Sequence, residues 1–291
     1  MEYVLLCIVI FLAYIQNIFI KQNDKKTQNT ENSNVFFLFF EVLAATIFLG
    51  ILFIFNFNFS WMTFFFAMGF ACSFSTCIFS SYMAIKTGSL SLSALISSFS
   101  IIIPALYSAM ILGEKFTTLG IIGLILLFVS LILVNKIEKE KKFNFKWLFF
   151  AILSFLGNGI GSTLQKVHQS NLSAQGLQAN DYAVCFQFFA MLAVTVIFGI
   201  CLISKKPKDF KTLIKKSCSY ASATGVANAG CNILMLLLAT SLPGVVLYPS
   251  VSAGLIVFTF ITGLIIYKER FTKWQYIGYA CGIVSVILLS I

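Results

Sequence analysis

Charge is scarce in this chain. Only 10% of its 291 residues are Asp, Glu, Lys or Arg, against about 25% in a soluble globular protein. That deficit excludes an ordinary water-facing surface. With 59% hydrophobic residues and a mean hydropathy of +0.95, most of the chain belongs in lipid. Proline is rare, four in all, which leaves long stretches free to be helix. Histidine occurs once, as His168, and the eight cysteines contain no CxxC pair, so no metal-ligand set is expected. Cys7, Cys72, Cys77, Cys185, Cys201 and Cys281 stand singly in apolar runs, as small apolar helix residues do. A GxxxxGK[ST] phosphate loop is missing, so ATP does not drive the protein directly and no cofactor is expected. Clustered intramembrane His or paired acids are missing too, which argues against an enzyme. The net charge of +10 is no sign of nucleic acid, because the lysines lie in short gaps between apolar runs.

What is present is a succession of apolar runs. A helix needs about 20 apolar residues to cross a bilayer. Ten runs qualify, approximately 3–20, 34–55, 61–85, 89–112, 117–134, 147–165, 182–203, 217–240, 244–266 and 273–291. The first has no basic stretch before it and no small-residue cleavage site after it, so it reads as a span, not a cleaved signal. Trp61, Trp147 and Trp274 fall at the starts of runs, where indoles prefer the interface. Thr117 and Thr272 stand where helix N-caps do, and Thr272 with Gln275 forms a capping-box pattern. No gap is long enough for a soluble domain.

The two halves of the chain are related. At an offset of 155, GEKFT (113–117) falls on KERFT (268–272), Gly123 on Gly278, Ser130 on Ser285 and Ala84 on Ala239. Each half holds five spans, an odd number, so the halves must run in opposite senses through the membrane. The expected fold is therefore an all-α membrane protein with ten transmembrane helices as two inverted five-helix repeats. The first repeat covers 1–135, a basic linker 136–146, and the second repeat 147–291.

A Gly-Glu-Lys/Arg-aromatic-Thr turn between an apolar helix and a Gly-containing helix, occurring at the end of each five-span half, resembles the drug/metabolite transporter superfamily. The closest likeness is to its EamA-type members. The turn motif maps onto Glu114 and Glu269, with Lys268 where Gly is usual. The resemblance implies a ten-helix carrier of amino acids, other metabolites or drugs, working by alternating access in the cell membrane, with export favoured over uptake of a nutrient. Its partners would be a small-molecule substrate and the lipid bilayer, as a monomer or homodimer.

Of the 20 Lys and Arg residues, all but Lys115 and Lys166 lie in the gaps after odd-numbered spans or at their edges. The positive-inside rule makes those gaps cytoplasmic and puts both termini outside. Relatives described with both termini inside point the other way; the charge asymmetry is the stronger indication.

Polar groups persist in hydrocarbon only for a reason. Glu41 lies seven residues into the second run, and Gln187, also flanked by Phe, is its nearest counterpart. Two uses fit Glu41: a cavity group contacting substrate or a proton, or a neutral hydrogen-bonded carboxyl. The 155 offset places Ser73 on Asn228 and Cys77 on Asn232, each pair one helical turn apart on one face. A central substrate cavity explains the matched faces; interhelical hydrogen bonding is the alternative. Tyr14, Asn17 and Asn158 add polar groups in the first spans of the two halves, with FLAY (11–14) resembling FLGN (155–158). Pro104 and Pro249 fall within spans and free the carbonyls of Ser100 and Val245. Tyr248 and Ser252 flank the second proline, and Tyr82 lies near the end of the third span; all three are candidate lining residues. Gly157 with Gly161, and Gly278 with Gly282, form GxxxG patterns suited to close helix packing. Lys21 and Lys166 are expected to snorkel to the headgroups, and Glu114 and Glu269 to be structural residues of their turns.

Overall fold

A computed structural model describes residues 2–27, 32–87, 93, 96–115, 117–134, 145–204, 207, 209–265 and 272–289. Among the described residues all regular structure is helical. In chain order the α-helices are α1 (Glu2–Thr27), α2 (Ser33–Phe55), α3 (Trp61–Thr87), α4 (Ile102–Met110), α5 (Thr118–Val134), α6 (Phe145–Ala174), α7 (Ala183–Ser204), α8 (Phe210–Ser241), α9 (Gly244–Ile265) and α10 (Lys273–Leu289). Short 3-10 turns precede α4 (Phe99–Ile101) and α7 (Ala179–Tyr182).

Among the described residues, the ten expected runs correspond to seven helices long enough to span a bilayer and three shorter ones. Glu2–Asn23, Ser33–Phe55, Trp61–Ala84, Phe145–Ala174, Ala179–Ser204, Phe210–Ser241 and Gly244–Thr262 are long and apolar enough to cross a bilayer; Ile96–Met110, Thr118–Val134 and Lys273–Leu289 are shorter. Several helices outrun their apolar runs. α6 has 30 residues and α8 has 32, about 45 Å at 1.5 Å per residue. Their polar ends continue the backbone ladder, which hydropathy does not register. The glutamate Glu269 and the 136–144 stretch of the basic linker lie outside the described residues.

Helix ends follow the expected chemistry. Thr117 Oγ1 accepts from the Gly120 amide at 2.9 Å, capping α5. Thr272 and Gln275 close a reciprocal capping box at α10, with the Thr272 amide donating to Gln275 Oε1 at 2.9 Å and the Gln275 amide to Thr272 Oγ1 at 3.4 Å. Pro249 sits inside α9 as expected. Pro104 lies within the helical segment Ile96–Met110, just after a 3-10 turn at Phe99–Ile101, as expected of a proline inside a span.

The chain divides into two compact units, each drawn from both halves of the sequence. One holds Tyr3–Cys72 and His168–Thr240; the other holds Ser73–Val167 and Ser241–Ile291.

In the first unit, α2 packs on α7. The Gly50 position meets the Phe188 ring at 3.2 Å, and the Gly199 position meets the Phe39 ring at 3.3 Å. Between these contacts the Thr46 and Thr195 hydroxyls lie 2.9 Å apart. Each pair of like residues, 39 and 188, 46 and 195, 50 and 199, is separated by the same 149 positions. The early residue on one helix meets the late residue on the other, so the helices are antiparallel.

In the second unit, α5 packs on α10 in the same manner. Gly123 approaches Leu288 and Leu289, and Gly278 approaches Leu133 and Val134, with the nearest atoms 2.9–3.2 Å from a Cβ built on either glycine. The offset is 155 for each pair. Ser285 donates to the Gly123 carbonyl at 2.8 Å, and Gly282 lies against Ser130. Around this seam Leu127, Leu131, Ala253, Ile256, Tyr279 and Leu289 form a buried core.

Candidate functional site

The second unit holds a half-open cavity of about 370 Å³ lined, among the described residues, by Ser81, Ala84, Ser93, Ser97, Ser98, Ile101, Ser154, Asn158 and Ser252. Four segments build it: the end of α3, the serine-rich stretch leading into α4, α6 and α9. Two glycines set the spacing. A Cβ at Gly157 would lie 2.8 Å from the Ser73 carbonyl oxygen and 2.9 Å from the Cys77 amide nitrogen, so α6 runs against the α3 backbone. This is the close packing expected of the GxxxG pattern. At Gly159 a Cβ would collide with Ile103.

Hydroxyls dominate the lining. Ser154 Oγ lies 2.6 Å from Ser81 Oγ, 3.3 Å from Ser97 Oγ and 3.8 Å from Cys77 Sγ. Asn158 Nδ2 donates to Ser100 Oγ at 2.6 Å. Trp147 Nε1 donates to Ser93 Oγ at 2.8 Å. Among the described residues, neither Asn158 Oδ1 nor the Ser252 hydroxyl has a protein partner.

A charged knot holds one end of the same unit. Lys166 Nζ is 2.9 Å from Glu114 Oε1, with the side chains 5% and 18% exposed. It also donates to the Leu242 carbonyl at 3.1 Å. Glu114 Oε2 accepts the Gly244 amide at 2.6 Å and the Val245 amide at 3.3 Å, so the carboxylate caps α9. Negative charge at a helix N-terminus is stabilising. Gly113 makes this reach possible: its φ of 69° turns the chain back after α4. Lys166 therefore does not snorkel. It is buried, because a carboxylate and a carbonyl inside the protein satisfy it better than a distant headgroup.

The first unit carries its own polar network. Glu41, 7% exposed, accepts from Asn228 Nδ2 at 3.2 Å, and Asn232 Nδ2 donates to Asn228 Oδ1 at 2.7 Å. A Cβ at Gly225 would overlap the Glu41 carbonyl oxygen, so α8 touches the α2 backbone here. His168 lies within α6, not beyond it; it is fully buried, with Nε2 2.9 Å from Thr63 Oγ1 and its ring beside Phe66 and Phe186.

The sequence candidates thus separate. Asn158 and Ser252 line the cavity, and Cys77 borders it through Ser154. Ser73 supports it through the Gly157 contact. Tyr248 is buried and donates to the Ser162 carbonyl at 3.0 Å, away from the lining. Tyr82 is 41% exposed and does not line the cavity. Glu41, Asn228 and Asn232 come together in the first unit. Tyr14 is half-buried on α1 beside Phe11, and Asn17 is exposed. Gln187 is fully buried, and among the described residues its amide has no partner. At the 149-position offset that relates α2 to α7, Glu41 falls on Ala190, not on Gln187. Sequence reading missed Ser81, Ser93, Ser97, Ser98 and Ser154. The signal was there: serines recur through the otherwise apolar stretch from 89 to 100.

With all regular structure helical among the described residues and seven of those helices long and apolar enough to cross a bilayer, the chain is a polytopic membrane protein. Residues 2–136, a little under half of the chain, match the EamA-like transporter family. The matched family is one of transporters. None of the curated proteins matches the chain significantly. Among solved structures 28 chains match. One is a crystal structure with a TM-score of 0.71 and 12% identity, covering 97% of this chain and 95% of its own. At that identity the likeness shows the fold alone.

Proposed function

We propose that the protein is a secondary transporter that moves a small organic metabolite, an amino acid or similar, across the cell membrane by alternating access. The resemblance favours export. In this reading the ten helices form two inverted five-helix repeats, 1–135 and 147–291, joined by the basic linker 136–146. The antiparallel contacts of α2 with α7 and of α5 with α10 support the inversion, since each joins like residues of the two halves.

The observation that carries the reading is the cavity. Six serine hydroxyls and an asparagine amide line a space of about 370 Å³. Ligand sites of roughly 300–1,000 Å³ are typical, with a few placed polar groups. Lipid-facing helices gain nothing from such a lining, because unsatisfied polar groups in hydrocarbon are costly. Glu41, Asn228 and Asn232 supply a second polar cluster suited to substrate or proton contact. The absence of a phosphate loop leaves ion or substrate gradients as the energy source.

Counterflow in proteoliposomes tests the proposal. Saturable exchange of at least one metabolite from a broad panel is expected. A well-folded protein that exchanges none of them contradicts it.

A further inference from the structure

The geometry points to an uncharged, polyhydroxylated solute, of about monosaccharide size, as the occupant of the serine-lined cavity. This rests on the carrier reading and replaces its amino-acid version with a neutral solute. Among the described residues the lining contains six hydroxyls, one carboxamide, one Ala and one Ile, and no acidic, basic or aromatic side chain. A carboxylate or ammonium placed there would lose part of its hydration with no counter-ion among the described lining, and unpaired charge is penalised as it leaves water. An amino acid would bring two such charges. A flat aromatic substrate would find no ring to stack on.

Hydroxyls suit hydroxyls. Each serine both donates and accepts, so a ring of serines can follow the alternating pattern of a polyol without fixing one polarity. Ser154 is already the hub of such a chain, touching Ser81 and Ser97. Asn158 spends Nδ2 on Ser100 at 2.6 Å, which fixes the amide and leaves Oδ1 to accept from a solute hydroxyl. The Ser252 hydroxyl stands opposite no protein group among the described residues. Trp147 holds Ser93 through its indole, which orients one further hydroxyl. Size permits it: 370 Å³ admits a monosaccharide with room left for water.

The test uses the full chain in proteoliposomes, with counterflow of D-glucose, D-ribose and sorbitol set against L-alanine and succinate. Saturable exchange of at least one neutral solute is expected, with no exchange of L-alanine or succinate. Asn158→Leu and Ser154→Val are each expected to raise the half-saturation concentration about tenfold, the worth of one hydrogen bond to a buried solute. Thermal unfolding of both variants checks that they fold. Exchange of L-alanine or succinate without the neutral solutes overturns the inference and leaves the carrier reading standing. Neutral exchange unaffected by either folded variant overturns it as well, because the cavity is then not the site. Failure of all five to exchange overturns it too, and the broader panel then decides the carrier reading separately.

Discussion

The hydroxyl oxygens of Thr46 and Thr195, 149 positions apart in the chain, lie 2.9 Å apart. Each is also 2.8 Å from the carbonyl four residues back on its own helix, Val42 and Met191, so one hydroxyl donates to the other instead of to its own carbonyl. Like meets like here because α2 and α7 pack antiparallel. Phe39 against Gly199 and Phe188 against Gly50 repeat the relation on either side. In the other unit Gly123 and Gly278 do the same, each seated on the partner helix near its C-terminal residues.

Glycine at these seams is a packing requirement. A Cβ at Gly278 would lie 2.9 Å from the Val134 amide nitrogen and the Leu133 Cβ, whereas one at Gly230 would lie 3.5 Å from the end of the Leu12 side chain. Alanine favours a helix over glycine by about 1 kcal/mol, but overpacking costs about 1–3 kcal/mol. Gly278→Ala is therefore expected to lower the unfolding midpoint and Gly230→Ala to leave it unchanged or raise it. Thermal unfolding in detergent compares them directly.

The Lys166–Glu114 pair makes a second prediction. Removing one partner of a buried ion pair costs about 3–5 kcal/mol, because the other charge stays buried. Glu114→Gln and Lys166→Met are each expected to destabilise the protein strongly. The double variant is expected to cost clearly less than the sum. A double-mutant cycle on unfolding free energies measures this coupling; additive losses would show that the two groups do not interact.

The helices were legible in the sequence because hydrophobic length is what the bilayer demands. The caps at Thr117 and Thr272 were legible because capping is local chemistry. Two things were not. Lys166 looked like a headgroup anchor, since nothing local shows that a glutamate 52 positions earlier folds back to meet it. The serine lining was overlooked in favour of Asn, Tyr and Glu, which look more expensive in lipid. Serine hides well, because its hydroxyl can bond its own helix; only the fold shows six of them around one space.

Glu41 is held by an amide, Asn228, not by a cation, in the contacts the structure gives it. Glu41→Gln keeps shape and hydrogen bonding and is expected to shift stability by less than about 1 kcal/mol. Glu41→Leu strands the Asn228 amide and is expected to cost about 1–3 kcal/mol. If transport responds to an imposed pH gradient, that response is expected to vanish in Glu41→Gln. Gradient dependence that survives the substitution removes Glu41 from coupling.

Inversion of the halves can be read from the two faces of the membrane. Thr118 and Lys273 are exposed equivalents, 155 positions apart, at the starts of α5 and α10. Single cysteines at these two positions, in a background without the native eight, are labelled in intact cells with a membrane-impermeant maleimide. The account predicts that Thr118→Cys reacts from outside and Lys273→Cys only after the membrane is opened. Labelling of both positions from the same face would contradict it.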